Sequence, residues 1–564
     1  MTETDPRLRR RDLLRTGAAA VSLPLVGAAT AGSREQATDR ARTAAPPATF
    51  EPLGSADVNG AKEAVVGPDG DNVFVATGTG FVTVDVSDPT DPNIAQAEQN
   101  LSDDAGDDLV QVWDVKYDAG QLLVASAAQA APPRGFYLYD VSDPTAPTRV
   151  GDWFATPDHG IHNCDLHDGV AYLTGNASDG RKVVAVDVSE PPFETLGTWQ
   201  PGDWDDAWAD PPNTSIHDVY AHGDYVYAAY WDAGTFVLDK SDPANMTFVS
   251  RVGDYGIEEL REIESRRTYL EPPGNDHYVT VDEDAQIMAE GGESWDIEND
   301  GSGGPSGITI YDISDKSDPQ RLAHVDAPAS DNNSLRSGAT ETTSHNFDIH
   351  GDRLYASWYQ GGVTIHDISD PTNPERIAWW ADTDERSFWT AQLAVEDGFF
   401  VASSFGGDYR EELLTFPDDA GGRMASPPNN VEWAAPGSYP EAGGGETTTP
   451  SDGTTTAPPA TSTQRPATTT APAEGSTQRP ATTTAPAEGS TQRPATTTAV
   501  GSTPGDTAAP TTEVTPDGTD GDGTTASDDD SSGGGSPGPG LLGALAGVAG
   551  GVAWLRRRRG DDAE

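Results

Sequence analysis

Four of the ten histidines stand at the head of copies of one phrase. It reads "HNCDLHDGVAYLTG" from His162, "HDVYAHGDYVYAAY" from His217 and "HNFDIHGDRLYASW" from His345, with a weaker copy at His277. Further weak copies begin near Glu63, Trp113 and Ala391, so the spacing predicts seven equivalent positions. Imidazoles brought together with a carboxylate form a ligand set for copper or zinc, and His162, His217, His277, His345 and Glu63 are the candidates here. A repeat also copies any residue it contains, so histidines that only bond backbone or stack in loops explain the pattern as well. A third reading is a small-molecule or glycan site using Trp231, Trp358 and nearby carboxylates. His167, His222 and His350 fall at hairpin tips and read as turn residues. Cys164 takes the place held by Val219 and Phe347, which marks it as a small core residue.

Each copy reads as strand, tight turn at His-Gly-Asp or His-Asp-Gly, then strand. A second phrase alternates with it, as in "FYLYDVSDPTAP" from Phe136, "ITIYDISDKSDP" from Ile308 and "VTIHDISDPTNP" from Val363. There a β-branched strand runs into Asp-x-Ser-Asp-Pro, where Asp and Ser bond their own backbone and Pro restricts φ. A second short strand follows, such as "ERIAWW" from Glu375. The two phrases together make four strands per unit, and the period and content predict an all-β fold, a seven-bladed β-propeller of four-stranded blades. The last unit, ending at "ELLTFP", lacks its outer strand, and "TFEPLGSAD" from Thr49 resembles one. The N-terminal segment is therefore expected to complete the last blade and close the ring.

The phrases "VTVDVS" and "ITIYDIS" resemble the LVIVD repeat, a β-propeller family of secreted and surface proteins. The resemblance covers Thr49 to about Pro417. It implies an extracellular binding role rather than a particular activity. At fold level the chain is also similar to selenium-binding protein, a thiol oxidase that uses histidines and copper; by that analogy alone the rival reading is a metal-dependent enzyme.

In such a ring the first strand of each unit lines the channel, and the loops entering the units share one face. The elaborated loops are there: "GDWDDAWADPPNTSI" from Gly202, "DYGIEELREIESRRTYLEPPGND" from Asp254, which reads as a short helix, and "DAPASDNNSLRSGATETTS" from Asp326. Loops between second and third strands open on the same side and carry Trp231, "SWDIENDGSGG" from Ser294, and Trp358. Long loops on one face of a repeat fold mark a binding face, so Trp113, Trp231 and Trp358 are its aromatic candidates.

The remaining chain bears on location. Lys and Arg number 34 against 92 Asp and Glu, a formal net charge of −58 in 564 residues. Phosphate binding needs clustered cations, so a nucleic-acid partner is excluded as an expectation. Acidity of this size, spread along the whole chain, needs salt to screen it and reads as the composition of a halophilic archaeon. With one cysteine, no internal disulfide forms. Residues 1–31 resemble a twin-arginine export signal, with Arg10, Arg11, Leu13 and Leu14 ahead of a mild apolar stretch. A linker, 32–48, precedes the propeller, 49–437.

Residues 438–536 form a stalk containing "STQRPATTTAPAEG" repeats, too polar and Pro-rich to bury a core. Residues 537–564 hold a short apolar run and then Arg556 to Arg559, similar to an archaeal sorting tail of the PGF-CTERM type, though Pro539 stands where that motif has Phe. Such a tail implies a membrane anchor. Asn100, Asn176, Asn213, Asn245 and Asn332 each begin an Asn-x-Ser/Thr sequon and are glycosylation candidates. The expectation is an exported, surface-anchored binding or adhesion module for an extracellular ligand, glycan or protein. Any cofactor would be a transition metal, copper or zinc.

Overall fold

The computed structural model describes residues 50–418, apart from 128–132, 178–179, 210–213, 264–269, 298, 336–337 and 408, together with 431–433. The signal, linker, stalk and anchor segments and Asn213 lie outside the described residues. Among the described residues no helix is long and apolar enough to cross a membrane.

Seven antiparallel four-stranded sheets follow one another along the chain. The first blade is β2 (Ala64–Val66), β3 (Asn72–Ala76), β4 (Phe81–Asp85) and β5 (Asn93–Glu98); the second is β6 (Val112–Asp118) to β9 (Thr148–Ala155). The third runs from β10 (Gly160–His167) to β13 (Glu194–Trp199), the fourth from β14 (Asp218–His222) to β17 (Thr247–Val252), and the fifth from β18 (Asp276–Val281) to β21 (Gln320–Val325). The sixth runs from β23 (Phe347–His350) to β26 (Glu375–Trp380). The seventh takes β27 (Phe388–Val395), β28 (Phe399–Ser404) and β29 (Glu412–Pro417) from the end of the chain and β1 (Gly54–Asp57) from its start. β1 pairs with β29 from Gly54↔Thr415 to Asp57↔Glu412, and Phe50 stacks on Phe416 and Phe400. The ring is closed as the sequence predicts. A small extra ribbon joins β22 (Pro328–Ser330), in the loop entering the sixth blade, to β30 (Val431–Trp433).

The core lies between blades, because each sheet is apolar on both faces. Inner and middle strands such as β3, β7 (Gln121–Ser126) and β28 read as near-continuous buried runs. Outer strands such as β5 and β9 hold no buried residue and stay half-buried to exposed.

The Asp-x-Ser-Asp-Pro phrase is the turn from third to fourth strand. The first Asp carboxylate accepts from the Ser amide two residues on, at 2.9 Å in Asp85–Ser87, Asp140–Ser142 and Asp367–Ser369. The Ser hydroxyl and then that amide hold Asp187, Asp239, Asp312 and Asp367 below the usual carboxylate range, and at Asp140 the amide leads. A glycine before the third strand lets it approach its outer neighbour. At Gly362 (φ +91) a Cβ would lie 2.0 Å from the Trp380 carbonyl oxygen.

Candidate functional site

Strand register decides which residues share the head position. His217, His345 and Lys62 each donate a backbone N–H to the second strand, to Ala229, Ser357 and Ala76, at 2.8, 3.0 and 3.0 Å. Lys62, not Glu63, is therefore level with the histidines in the first blade. In the last blade Asn346 bridges Thr390 in parallel, which sets Trp389, not Ala391, level with His345. Both slips have one cause. The sixth blade turns on two residues between His350 and Arg353, whereas Val395 pairs with Phe399 across three and a bulge separates Leu393 from Val395. The first blade likewise spaces Val66 from its partner Val73 by a longer turn.

The head position thus carries Lys62, Trp113, His162, His217, His277, His345 and Trp389. Their rings form a chain at the loop-bearing mouth of the channel. Centroids are 5.7 Å apart for Trp113–His162, 4.3 Å for His162–His217, 3.8 Å for His217–His277, 4.7 Å for His277–His345 and 4.4 Å for His345–Trp389. The Lys62 ammonium sits 5.4 Å from the Trp389 ring and 4.6 Å from Phe405, and burial lowers its pKa to about 8. Burial, helped by the neighbouring imidazoles, holds His217 and His345 well below the ordinary histidine value and His162 at about 3. These three rings are neutral at neutral pH.

Their tautomers are set by backbone. His217 Nδ1 lies 2.9 Å from the His277 carbonyl oxygen and His345 Nδ1 lies 2.6 Å from that of Trp389. A carbonyl only accepts, so each Nδ1 carries the proton and each Nε2 keeps its lone pair. Glu293, in the loop between the second and third strands of the fifth blade, reaches the same place. It is 1% exposed, and its Oε1 accepts from the Tyr359 hydroxyl. Its Oε2 stands 3.2 Å from His277 Nδ1. Ligand atoms of His217, His277 and Glu293 all lie within 4.8 Å of one another. Glu293, Tyr359 and Trp389 were not singled out by the sequence. Glu293 stands one residue before a quoted loop phrase and Trp389 two before the aligned Ala391.

Glu63 belongs to a different ring, one residue further along each inner strand. It accepts from Asn346 Nδ2 and from Thr390 Oγ1 (2.7 Å), and its other oxygen takes Lys116 Nζ at 3.2 Å. Lys116 also meets Asp114 at 2.7 Å. Burial pushes the Lys116 ammonium down, but Asp114 and Glu63 outweigh it and hold it well above its usual value. The other inner-strand acids serve as links between blades. Asp114 accepts from Cys164 N, Asp165 from Ala221 N, Asp218 from Val279 N and Asp348 from Leu393 N, while Gln392 accepts from Val66 N. Glu63 is thus committed to the channel belt and is not gathered with the histidines.

Of the aromatic candidates, Trp113 and Trp231 face the ring, Trp231 lying 5.6 Å from His217 and packing with Leu270 and Trp295. Trp358 does not present a face to a ligand. It is fully buried, and its Nε1 donates to Thr364 Oγ1 of its own blade. Cys164 is buried in the core as expected. His167 and His222 stack at the opposite end, 6.2 Å apart, and His350 pairs with Glu283. Among the sequons, Asn100 and Asn245 are exposed. Asn176 uses both side-chain atoms on the Ile216 backbone, and Asn332 binds Ser334 and Gly338.

The LVIVD repeat family matches residues 68–97, 215–254 and 344–377. The chain carries LVIVD repeats. No curated protein matches it. Among solved structures, the LVIVD propeller is similar to the β-propeller domain of Cps50 (Swd1) from Myceliophteria thermophila, at 10% identity and TM-score 0.45, over 65% of this chain and 99% of that one. It is similar also to the RRP9 WD40 repeats, at 11% identity and TM-score 0.44 over 66% and 98%. BamB from Moraxella catarrhalis matches at 11% and 0.36 over 66% and 92%.

Proposed function

We propose that this chain is an exported, cell-surface-anchored binding module whose recognition surface is the loop-bearing mouth of the propeller. One observation carries the reading: the long insertions and the ring from Lys62 to Trp389 stand at the same end of the channel. Among the described residues the other end bears short connections, the hairpin tips and the Asp-x-Ser-Asp-Pro phrases. The insertions order one another there. Arg251 donates to Tyr255 O and lies 4.6 Å over the Trp208 ring, and Arg261 donates to Ala207 O. A face built of buried aromatics, imidazoles and one desolvated cation suits a ligand held by stacking and few polar contacts. The twin-arginine phrase, the Thr/Pro-rich stalk and the apolar tail with its arginines support display on a membrane.

Export and binding are tested together. Arg10→Lys with Arg11→Lys removes the address that the exporter reads, so the double variant is expected to stay inside the cell and resist protease applied outside. Surface display equal to wild type would sink the export claim. For binding, Trp231→Ala at the mouth is expected to weaken capture on arrays of glycans and surface proteins in high salt. His222→Ala at the far end should leave capture unchanged.

The rival reading, a metal-dependent enzyme, is favoured by one observation only, the convergence of His217, His277 and Glu293.

A further inference from the structure

We infer that His217, His277 and Glu293 form a binding site for a divalent first-row transition ion of the zinc type. The inference is separate from the binding reading, since an ion could sit there whatever the mouth recognises.

Three features of the cluster point to an ion. The first is unpaired polar atoms: His217 Nε2, both His277 ring nitrogens and Glu293 Oε2 are buried without a hydrogen-bond partner. His277 Nδ1 and Glu293 Oε2 approach to 3.2 Å but not in hydrogen-bond geometry. Leaving one such atom unpaired in a buried place is destabilising, and here several meet at one point. The second is support from outside. His217 Nδ1 is held by a backbone carbonyl at 2.9 Å, and Glu293 Oε1 by the Tyr359 hydroxyl. Metal ligands have this construction: one atom of the side chain is anchored, which orients the ring or carboxylate and frees the other atom for the ion. The third is composition. Two imidazoles and one carboxylate suit zinc, at metal–ligand distances of about 2.0–2.2 Å, and leave a fourth tetrahedral position for an outside donor. The atoms span up to 4.8 Å, so small side-chain rotations must close the set.

Without an ion, the alternative is a simple pair. A rotation of His277 or Glu293 would turn the 3.2 Å approach into a hydrogen bond and remove the need for metal.

The test uses the full chain, stripped with a chelator and dialysed against zinc in high salt, where screening suppresses loose binding to a surface of charge −58. About one zinc per chain is expected, equally in the His222→Gln control, with a raised melting temperature. Glu293→Gln and His217→Gln each remove a ligand and should weaken binding by at least the roughly 10–100-fold that loss of a ligand's supporting partner costs. Cobalt in place of zinc should give the visible absorption of a four-coordinate site, a readout on the wild-type chain that holds even if a variant fails to fold. Zinc retention and melting equal to the metal-free control, with no such cobalt band, would overturn the site. So would undiminished zinc binding in a folded His217→Gln, Glu293→Gln double variant. A wild-type chain that binds zinc but captures no glycan or protein would support the metal site and count against the proposed recognition surface alone.

Discussion

At the residue scale, the buried charges of the inner strands hold the ring together. Lys116 lies between Glu63 and Asp114, all three buried, and it is the cation that lets two carboxylates share the space. Replacing it with Ala leaves both acids facing each other without compensation. Breaking a buried pair from one side costs about 3–5 kcal/mol, so Lys116→Ala should lose stability on that scale in denaturant titration at high salt. Glu63→Gln made in the same chain should recover part of the loss, because it removes the charge that Lys116 balanced. A near-neutral Lys116→Ala would mean that water already screens the belt. Cys164 shows the quieter side of the same packing: its thiol is inert, buried well above its ordinary pKa, and it simply fills the space of a Val or Phe.

At the element scale, neighbouring blades are clipped at both ends. At the channel, inner-strand acids accept amides of the next blade. At the far end, His350 Nδ1 meets Glu283 Oε1 at 2.7 Å, joining the sixth blade to the fifth. The Glu283 hydrogen bond raises His350 above 6.5 and depresses Glu283 from 4.5 to about 2. The signs then follow. The His350 contribution is complete below 6.5 and is lost as pH rises through its raised value; that of Glu283 is complete above 4.5 and is lost as pH falls through about 2. The clip is strongest between these limits. Both groups are near half exposed, so it should contribute under about 1 kcal/mol and less in high salt. The stability difference between wild type and His350→Gln should be largest near pH 5–6 and gone in mild alkali. A difference that grows with alkali would refute the assignment.

At the scale of the whole molecule, closure rests on β1. Its four residues pair with β29, Phe50 packs under them, and Glu411 accepts from the Gly60 amide just beyond. Deleting 49–57 exposes the edge of β29 and opens the junction between the last blade and the first. A fall in melting temperature on the order of 10 °C, or aggregation, is expected from the loss of several kcal/mol. Equal melting of truncated and full chains would mean that the ring does not depend on its N-terminal strand.

Much of this was legible in sequence, because repetition makes local signals reinforce one another. Strands, turns, blade number and the closing segment all follow from alternation, from Asp-x-Ser-Asp-Pro and from a missing outer strand. Three of the head-position histidines came out in register because their hairpins turn on two residues. The errors fell where turns differ. An added turn residue and a bulge moved the head position from Ala391 to Trp389, and a longer turn moved it from Glu63 to Lys62; one residue of slip flips a side chain to the other face. Tertiary structure alone decided the rest. Glu293 and Tyr359 come from loops of different blades, 66 residues apart, and meet His277 only when the ring closes. Trp358 resembles Trp231 in sequence, yet burial against its own blade takes it out of the mouth. Spacing along a strand is a property of the chain; convergence of seven strands on one axis is a property of the closed ring.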